Sequence, residues 1–135
     1  NTIGMLLAHI AIVEVFWLHV ALERASEAAI QKVTRIGGDD DGMPLAAGGS
    51  PPAALTGRTL GWYTRLLTRS RDWATRTVRG WPDATMDRFV LRTRRDGSKW
   101  NVSRRWILYH ILEHEAGHYG QVLLLRHQYR DRGRK

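Results

Sequence analysis

Apolar residues at spacings of three and four dominate the start of the chain and predict a long helix. The residues that share this spacing are Ile3, Leu6, Leu7, Ile10, Val13, Trp17, Leu18 and Ala21. Thr2 is a candidate N-cap, because its hydroxyl can accept a hydrogen bond from the free N–H groups of the first turn. We expect this helix to extend to about Ile30.

Glycine, proline and aspartate then crowd residues 36–52, which excludes regular structure there and predicts a long crossover loop. Helical spacing of apolar residues returns over residues 54–78, with basic residues on the opposite face. Residues 89–93 favour a strand, and the Asp96-Gly97 turn dipeptide favours a small β-hairpin with residues 99–102.

A last helix is predicted from about Ser103 to about Tyr129, with Asn101 or Ser103 as its cap. The pattern as a whole predicts an all-α fold with one small hairpin. At 135 residues, 43% hydrophobic and 25% charged, the chain has the composition of one globular domain, and we expect residues 1–135 to form it.

Cysteine is absent, which excludes disulfides, cysteine-ligated zinc and thiol nucleophiles of the protein itself. Any bound metal must therefore be held by histidine and carboxylate side chains. The net charge is +8, but it is uneven: residues 1–67 sum to −1 and residues 68–135 sum to +9. The second half of the chain is thus strongly basic.

The first helix is apolar enough to raise the question of a membrane span. His9, Glu14 and His19 interrupt it, and each is costly at bilayer depth. No positively charged segment precedes the helix, as one would in a signal peptide. We therefore expect a core helix, no membrane contact and a cytoplasmic location.

Three histidines form a stripe on the last helix. His110, His114 and His118 stand at i, i+4 and i+8, so successive rings turn only about 40° around the axis. Two imidazoles at i and i+4 can bind one metal ion. His9, on the apolar face of the first helix, is the natural third ligand, and a set of histidines alone leaves coordination positions open for substrate. His110 is the weakest ligand candidate of the stripe.

Other features of the sequence have competing interpretations. The letters HEAGH satisfy the H-E-x-x-H pattern of metalloproteases with Glu115 as general base, although the chain ends too soon to supply the further downstream ligand of that class. His19 and His127 are expected to be hydrogen-bonded core residues. The run of aspartates at 39–41 lacks the ligand spacing of an EF-hand and is expected to be an exposed loop without calcium.

Both ends of the chain resemble one known group of proteins. The opening NTIGMLLAHIAIVEVFWL, with His9, Glu14 and Trp17 in register, and the closing NVSRRWILYHILEHEAGHYGQVLLLR are similar to the DinB/YfiT-like superfamily, including its mycothiol-dependent maleylpyruvate isomerase branch. The resemblance implies a four-helix bundle with up-down-down-up topology. The first helix of that bundle is missing from the chain, so we expect the uncovered apolar face to be closed by preceding residues or by a homodimer partner.

The resemblance also implies a function. His9, His114 and His118 would hold a divalent metal, with zinc or nickel favoured and iron or manganese as alternatives. The protein would be a metal-dependent thiol S-transferase or isomerase. Its cosubstrate would be a low-molecular-weight thiol such as bacillithiol, mycothiol or glutathione, whose sulfur the metal would bind and deprotonate. Glu14 and Gln121 are the candidate catalytic residues.

Two alternatives stay open. The metal could merely stabilise an inactive bundle. Alternatively, a basic cluster with interleaved Trp100 and Trp106 could bind nucleic acid, although an arginine-rich solvated surface is favoured over it. The residues of this basic cluster are Arg88, Arg92, Arg94, Arg95, Lys99, Arg104 and Arg105.

Overall fold

A computed structural model describes residues 1–94 and 96–132 of the chain. Four helices and one hairpin follow one another along it. The elements are α1 (Ile3–Ala21), α2 (Glu27–Thr34), α3 (Leu60–Arg79), β1 (Phe89–Thr93), β2 (Lys99–Ser103) and α4 (Arg104–Arg132). Short 3₁₀ turns at Ala53–Leu55 and Asp83–Thr85 precede α3 and β1. The predicted helical fold with a small antiparallel hairpin is confirmed.

The first helix is shorter than predicted. Thr2 caps it as expected, its hydroxyl accepting from the Met5 N–H at 3.2 Å. The helix ends at Ala21 instead of Ile30, because Glu23 adopts a left-handed conformation with φ of 58° that a helix cannot continue. Ser26 then caps the separate helix α2 through the Ala29 N–H. Helical spacing of apolar residues persists across this break, which is why the pattern alone could not reveal it.

The second long helix begins later than the pattern predicts. Residues 54–58 have helical spacing, but α3 starts at Leu60, where the Thr59 hydroxyl accepts from the Trp62 N–H at 3.3 Å. The crossover loop over residues 36–52 is irregular, as predicted.

The long helices pack around α1 with a defined direction. Gly4 of α1 lies against Tyr63 at the start of α3, and His19 lies against Trp73 further along, so α1 and α3 run parallel. A side chain at Gly4 would collide with the Tyr63 ring, which explains the glycine there. His9 meets His118 while Trp17 meets Trp106, so α1 and α4 are antiparallel.

The β-hairpin closes one end of the core. Val90 and Val102 are paired in register and buried with Leu18 and Ile107. Ser103 ends β2 and caps α4, because its hydroxyl accepts from the Trp106 N–H at 3.1 Å. Of the two caps considered from the sequence, Ser103 is the one used.

Helix α1 is the central helix of the core. By length and composition it could cross a membrane, and it is the one such helix among residues 1–94 and 96–132. Most of its residues are buried against α2, α3 and α4, including the ionisable Glu14 and His19. This environment agrees with the prediction of a core helix.

Candidate metal centre

Three imidazole rings converge where α1 crosses α4. The Nε2 atom of His114 lies 3.0 Å from Nε2 of His9 and 3.0 Å from Nε2 of His118. The ligand atoms of all three lie within 4.8 Å of one another, and each residue is half-buried. The antiparallel packing of α1 and α4 thus brings together the three histidines that the sequence predicted to act together.

Partners on the far side of two rings fix their tautomers. The Nδ1 atom of His9 donates to Oδ2 of Asp41 at 2.7 Å, and Nδ1 of His118 donates to Oε1 of Gln121 at 2.8 Å. Since each Nδ1 then holds the ring hydrogen, each Nε2 presents a lone pair toward His114. This hydrogen bonding of the distal nitrogen is typical of histidines that bind metal.

The chemistry of this donor set fits a divalent cation. The Nε2 atom of His114 faces the Nε2 lone pairs of both His9 and His118. A single hydrogen on His114 Nε2 could bond to only one of these two lone pairs, whereas a cation could bind all three nitrogens. Burial, and then the neighbouring His118, His9 and His110, lowers the pKa of His114 to about 4, which keeps its ring neutral as a ligand must be. Tetrahedral ligands at zinc–nitrogen distances of about 2.0–2.1 Å stand about 3.4 Å apart. The two contacts of 3.0 Å would therefore lengthen slightly, and the widest pair, within 4.8 Å, would shorten, when the rings hold an ion.

Asp41 is the residue that sequence reasoning missed. The aspartate run was expected to be an exposed loop, but Asp41 is only 7% exposed and its carboxylate accepts from both His9 and the Met43 N–H. The expectation is therefore wrong for this residue. Spacing could not reveal the contact, because 32 residues and an irregular loop separate Asp41 from His9.

The remaining histidines lie outside the cluster. His110 stacks on Trp106 with the ring centroids 4.7 Å apart, and its ring is 6.0 Å from that of His114. His127 is exposed on α4, so the expectation of a core residue is wrong there. His19 is buried as expected, but neither of its ring nitrogens has a hydrogen-bond partner among the described residues.

Glu14 and Glu115 share a different environment from the three imidazoles. Arg71 bridges them, with its Nε 2.8 Å from Oε1 of Glu14 and its Nη2 2.6 Å from Oε2 of Glu115. All three line a groove of about 510 Å³ between α3 and α4. Glu115, which the metalloprotease interpretation assigns as general base, is thus paired with Arg71.

Desolvation dominates the electrostatics of Glu14. Burial raises the pKa of this carboxyl to about 7; Arg71 opposes the shift and Glu115 adds to it. The side chain is only 8% exposed, so solvent screens it little.

A cavity of about 570 Å³ opens beside His9. Asp41 and Phe16 form part of its wall, and Arg92 and Arg94 enter it from the hairpin. The Arg92 guanidinium lies over the rings of Phe16 and Trp17, at 4.7 and 5.2 Å from their centroids. Glu27, Asp39 and Asp41 line the same cavity, so a ligand beside His9 would meet carboxylates on one side and the two arginines of the hairpin on the other.

The basic cluster predicted from the sequence does not form one uniform surface. Arg88 pairs with Glu23, Arg105 pairs with Asp87, and Arg104 lies over Trp81. Trp100 stacks on Trp17 and lies perpendicular to Trp106, and the Arg94 guanidinium lies over its ring at 4.4 Å. Arg95 lies outside the described residues. Nucleic-acid binding by this cluster stays a prediction, which a salt-dependent mobility shift would test.

Removing the carboxylate behind His9 should weaken metal binding. We expect Asp41→Ala to lower zinc affinity about 10- to 100-fold, because the His9 ring loses the partner that fixes its tautomer and orientation. Competition with a chromogenic chelator measures the change. Asp40→Ala is the matched control, since Asp40 contacts the Gly37 N–H and not the histidines. Equal affinities for the two variants would contradict the assignment of Asp41.

Comparison with known families agrees with the resemblance seen in the sequence. Residues 1–131 match the family model described as MST: Mycothiol-S-transferase, a member of the DinB-like superfamily. No curated protein and no solved structure matches the chain.

Proposed function

This chain belongs to the mycothiol-S-transferase family, and we propose from that membership that it is a metal-dependent enzyme transferring a low-molecular-weight thiol to an electrophilic substrate. The proposed metal ligands are His9, His114 and His118. Mycothiol is the thiol that the family name suggests, with bacillithiol and glutathione as the other candidates. Zinc or nickel is the proposed ion, and iron or manganese is the alternative.

One observation supports this proposal above the others: three imidazoles direct Nε2 atoms at a common point, and their outer partners hold two of them in the ligating tautomer. Three protein ligands leave a tetrahedral ion one open position, which is the arrangement of catalytic sites. A purely structural site would be expected to fill all four positions from the protein.

A divalent cation at these residues would lower the pKa of a coordinating thiol, so that the sulfur is a thiolate at neutral pH. Asp41 and Gln121 hold the rings of His9 and His118 in place. Arg92 and Arg94, on the hairpin side of the cavity beside His9, would donate hydrogen bonds to the thiol or to its acceptor. We propose that Gln121 acts by positioning His118, and that Glu14 acts through Arg71.

The proposed reaction is a displacement at carbon. The thiol proton leaves to solvent, the sulfur electron pair forms a new carbon–sulfur bond, and the leaving group departs with the electron pair of its own bond. No oxidant or reductant is required. The homodimer and the cytoplasmic location expected from the sequence belong to the same proposal, and sedimentation equilibrium tests the first of them.

Activity with a reactive aryl chloride tests the proposal. Zinc- or nickel-loaded protein should accelerate conjugation of mycothiol to 1-chloro-2,4-dinitrobenzene, with release of chloride, and His114→Ala should not. Arg92→Ala is expected to raise KM more than it lowers kcat, since Arg92 binds rather than reacts. If metal-loaded protein accelerates conjugation of none of the three thiols, the transferase proposal is wrong, whatever its metal content.

A further inference from the structure

A second cavity of about 630 Å³ lies where the end of α1 meets α2 and α3. It is distinct from the cavity beside His9. His19 lines it, ten residues after His9 on α1 and therefore about 15 Å further along the helix axis. Its volume is within the range of about 300–1,000 Å³ that is usual for small-molecule sites.

The wall of this cavity contains a buried polar side chain that is incompletely hydrogen-bonded. His19 is only 8% exposed, and its ring interacts with the Ala29 backbone, but neither Nδ1 nor Nε2 makes a hydrogen bond of normal geometry with a described residue. Its ring lies against Trp73, with the centroids 4.6 Å apart. Buried imidazole nitrogens normally find a partner, because leaving them unpaired costs stability. A ligand in the cavity would supply the missing one.

The charges that line the cavity are all of one sign. Its cations are Arg24, Lys32, Arg69 and Arg76, and no aspartate or glutamate stands among its lining residues. Arg69 is committed to the end of α2, where it donates to the carbonyls of Val33 and Thr34. Arg24, Lys32 and Arg76 form no ion pair with any residue in the described part of the chain, Asp72 one turn before Arg76 included. The cavity therefore attracts anions, while Asp72 lies outside it, in the adjoining groove that Arg69 and Arg76 also line.

Aromatic side chains supply the rest of the wall. Trp73 and Trp81 both line the cavity, and the guanidinium of Arg104 lies over the Trp81 ring at 4.7 Å, which helps to hold that ring. Indole faces bind flat apolar groups by stacking. The site therefore offers positive charge, a hydrogen-bonding imidazole and stacking surfaces together.

We propose that this cavity binds a small aromatic anion, a carboxylate or phosphate, at a site separate from the metal centre. The anionic group pairs with Arg24, Lys32 and Arg76 and accepts a hydrogen bond from His19. The aromatic part lies against Trp73 and Trp81.

Calorimetry with 1-naphthoate tests the site, with 1-naphthamide as a neutral ligand of the same shape. We expect saturable binding of the carboxylate and at least about tenfold weaker binding of the amide, because the amide loses its charge-assisted contacts. Arg76→Ala should weaken 1-naphthoate binding about tenfold. Arg65→Ala, which removes an equal charge from the same helix outside this cavity, should change it by less than about twofold.

His19→Phe separates a ligand-binding role from a packing role. Phenylalanine keeps the stacking on Trp73 and removes the unpaired nitrogens, so we expect a higher Tm together with weaker 1-naphthoate binding. The indole N–H resonances of Trp73 and Trp81 should shift on binding, and those of Trp17 and Trp100 should not. His114→Ala should bind 1-naphthoate as the unmodified chain does.

Any of three results would overturn the proposal. In the first, 1-naphthoate and 1-naphthamide bind with equal affinity. In the second, neither His19→Phe nor Arg76→Ala changes the affinity for 1-naphthoate. In the third, His114→Ala weakens 1-naphthoate binding and the ligand shifts the indole resonance of Trp17. The last would place the ligand at the metal centre. None of these results bears on whether the metal centre transfers thiols.

Discussion

His114→Ala is expected to abolish specific metal binding. The unmodified chain should hold about one divalent ion per molecule, and the variant should retain almost none after dialysis, because its two remaining imidazoles lie on different helices and, within residues 1–94 and 96–132, belong to no other group of three ligands. His9→Ala should also lose the ion on dialysis, because the pair left on α4 supplies only two protein ligands. Mass spectrometry of the purified protein, with any affinity tag removed, measures the metal content.

His110→Ala is the control for this experiment. It removes a histidine from the same stripe, but one that stacks on Trp106 outside the cluster, so metal content should stay close to one ion per chain. Full occupancy in His114→Ala would contradict the three-histidine site. Failure to load zinc, nickel, manganese or iron into the unmodified chain would remove the metal-dependent function altogether.

Glu14→Gln is expected to remove a large pH dependence from the folding stability. The pKa of Glu14 is about 7 in the folded state against 4.5 for an unperturbed carboxyl. Below pH 4.5 the carboxyl is protonated in the folded and the unfolded chain, so the free energy of unfolding does not change with pH on its account. Between pH 4.5 and 7 the carboxyl ionises in the unfolded chain before it does so in the folded one, so the free energy of unfolding falls as pH rises. Above pH 7 this fall is complete and amounts to about 3 kcal/mol.

Glutamine has no such titration, so the unmodified chain should lose about 3 kcal/mol relative to Glu14→Gln between pH 4.5 and pH 8. Urea unfolding at several pH values measures this difference. Groups that do not interact with Glu14 titrate alike in the two chains, so their contributions cancel in the comparison. The control is Glu23→Gln, an exposed carboxylate paired with Arg88, for which a nearly flat difference is expected. A flat difference for Glu14→Gln would show that Arg71 and water keep this carboxylate ionised.

Contacts across the loop were beyond the reach of sequence periodicity. The spacing of His114 and His118 placed both rings on one side of α4, and apolar periodicity placed His9 on the buried side of α1. The spacing of apolar residues could not predict the contact between Asp41 and His9, because an irregular loop has no periodic pattern from which side-chain positions follow. The same limit applies to Glu14 and Arg71, whose contact depends on how α1 and α3 are rotated about their axes.

The sequence by itself determined the helical class, the hairpin, the family and the identity of the converging histidines. The helices and the hairpin follow from local rules, namely the 3.6-residue period, capping hydroxyls and the Asp-Gly turn. The family and the histidines follow from sequence motifs of fixed spacing at the two ends of the chain. The tertiary structure alone decided where α1 ends, which tautomer His9 adopts and why the pKa of Glu14 is raised to about 7. The last two properties depend on burial and on partners distant in sequence, which only the packed chain brings within a few ångströms of one another.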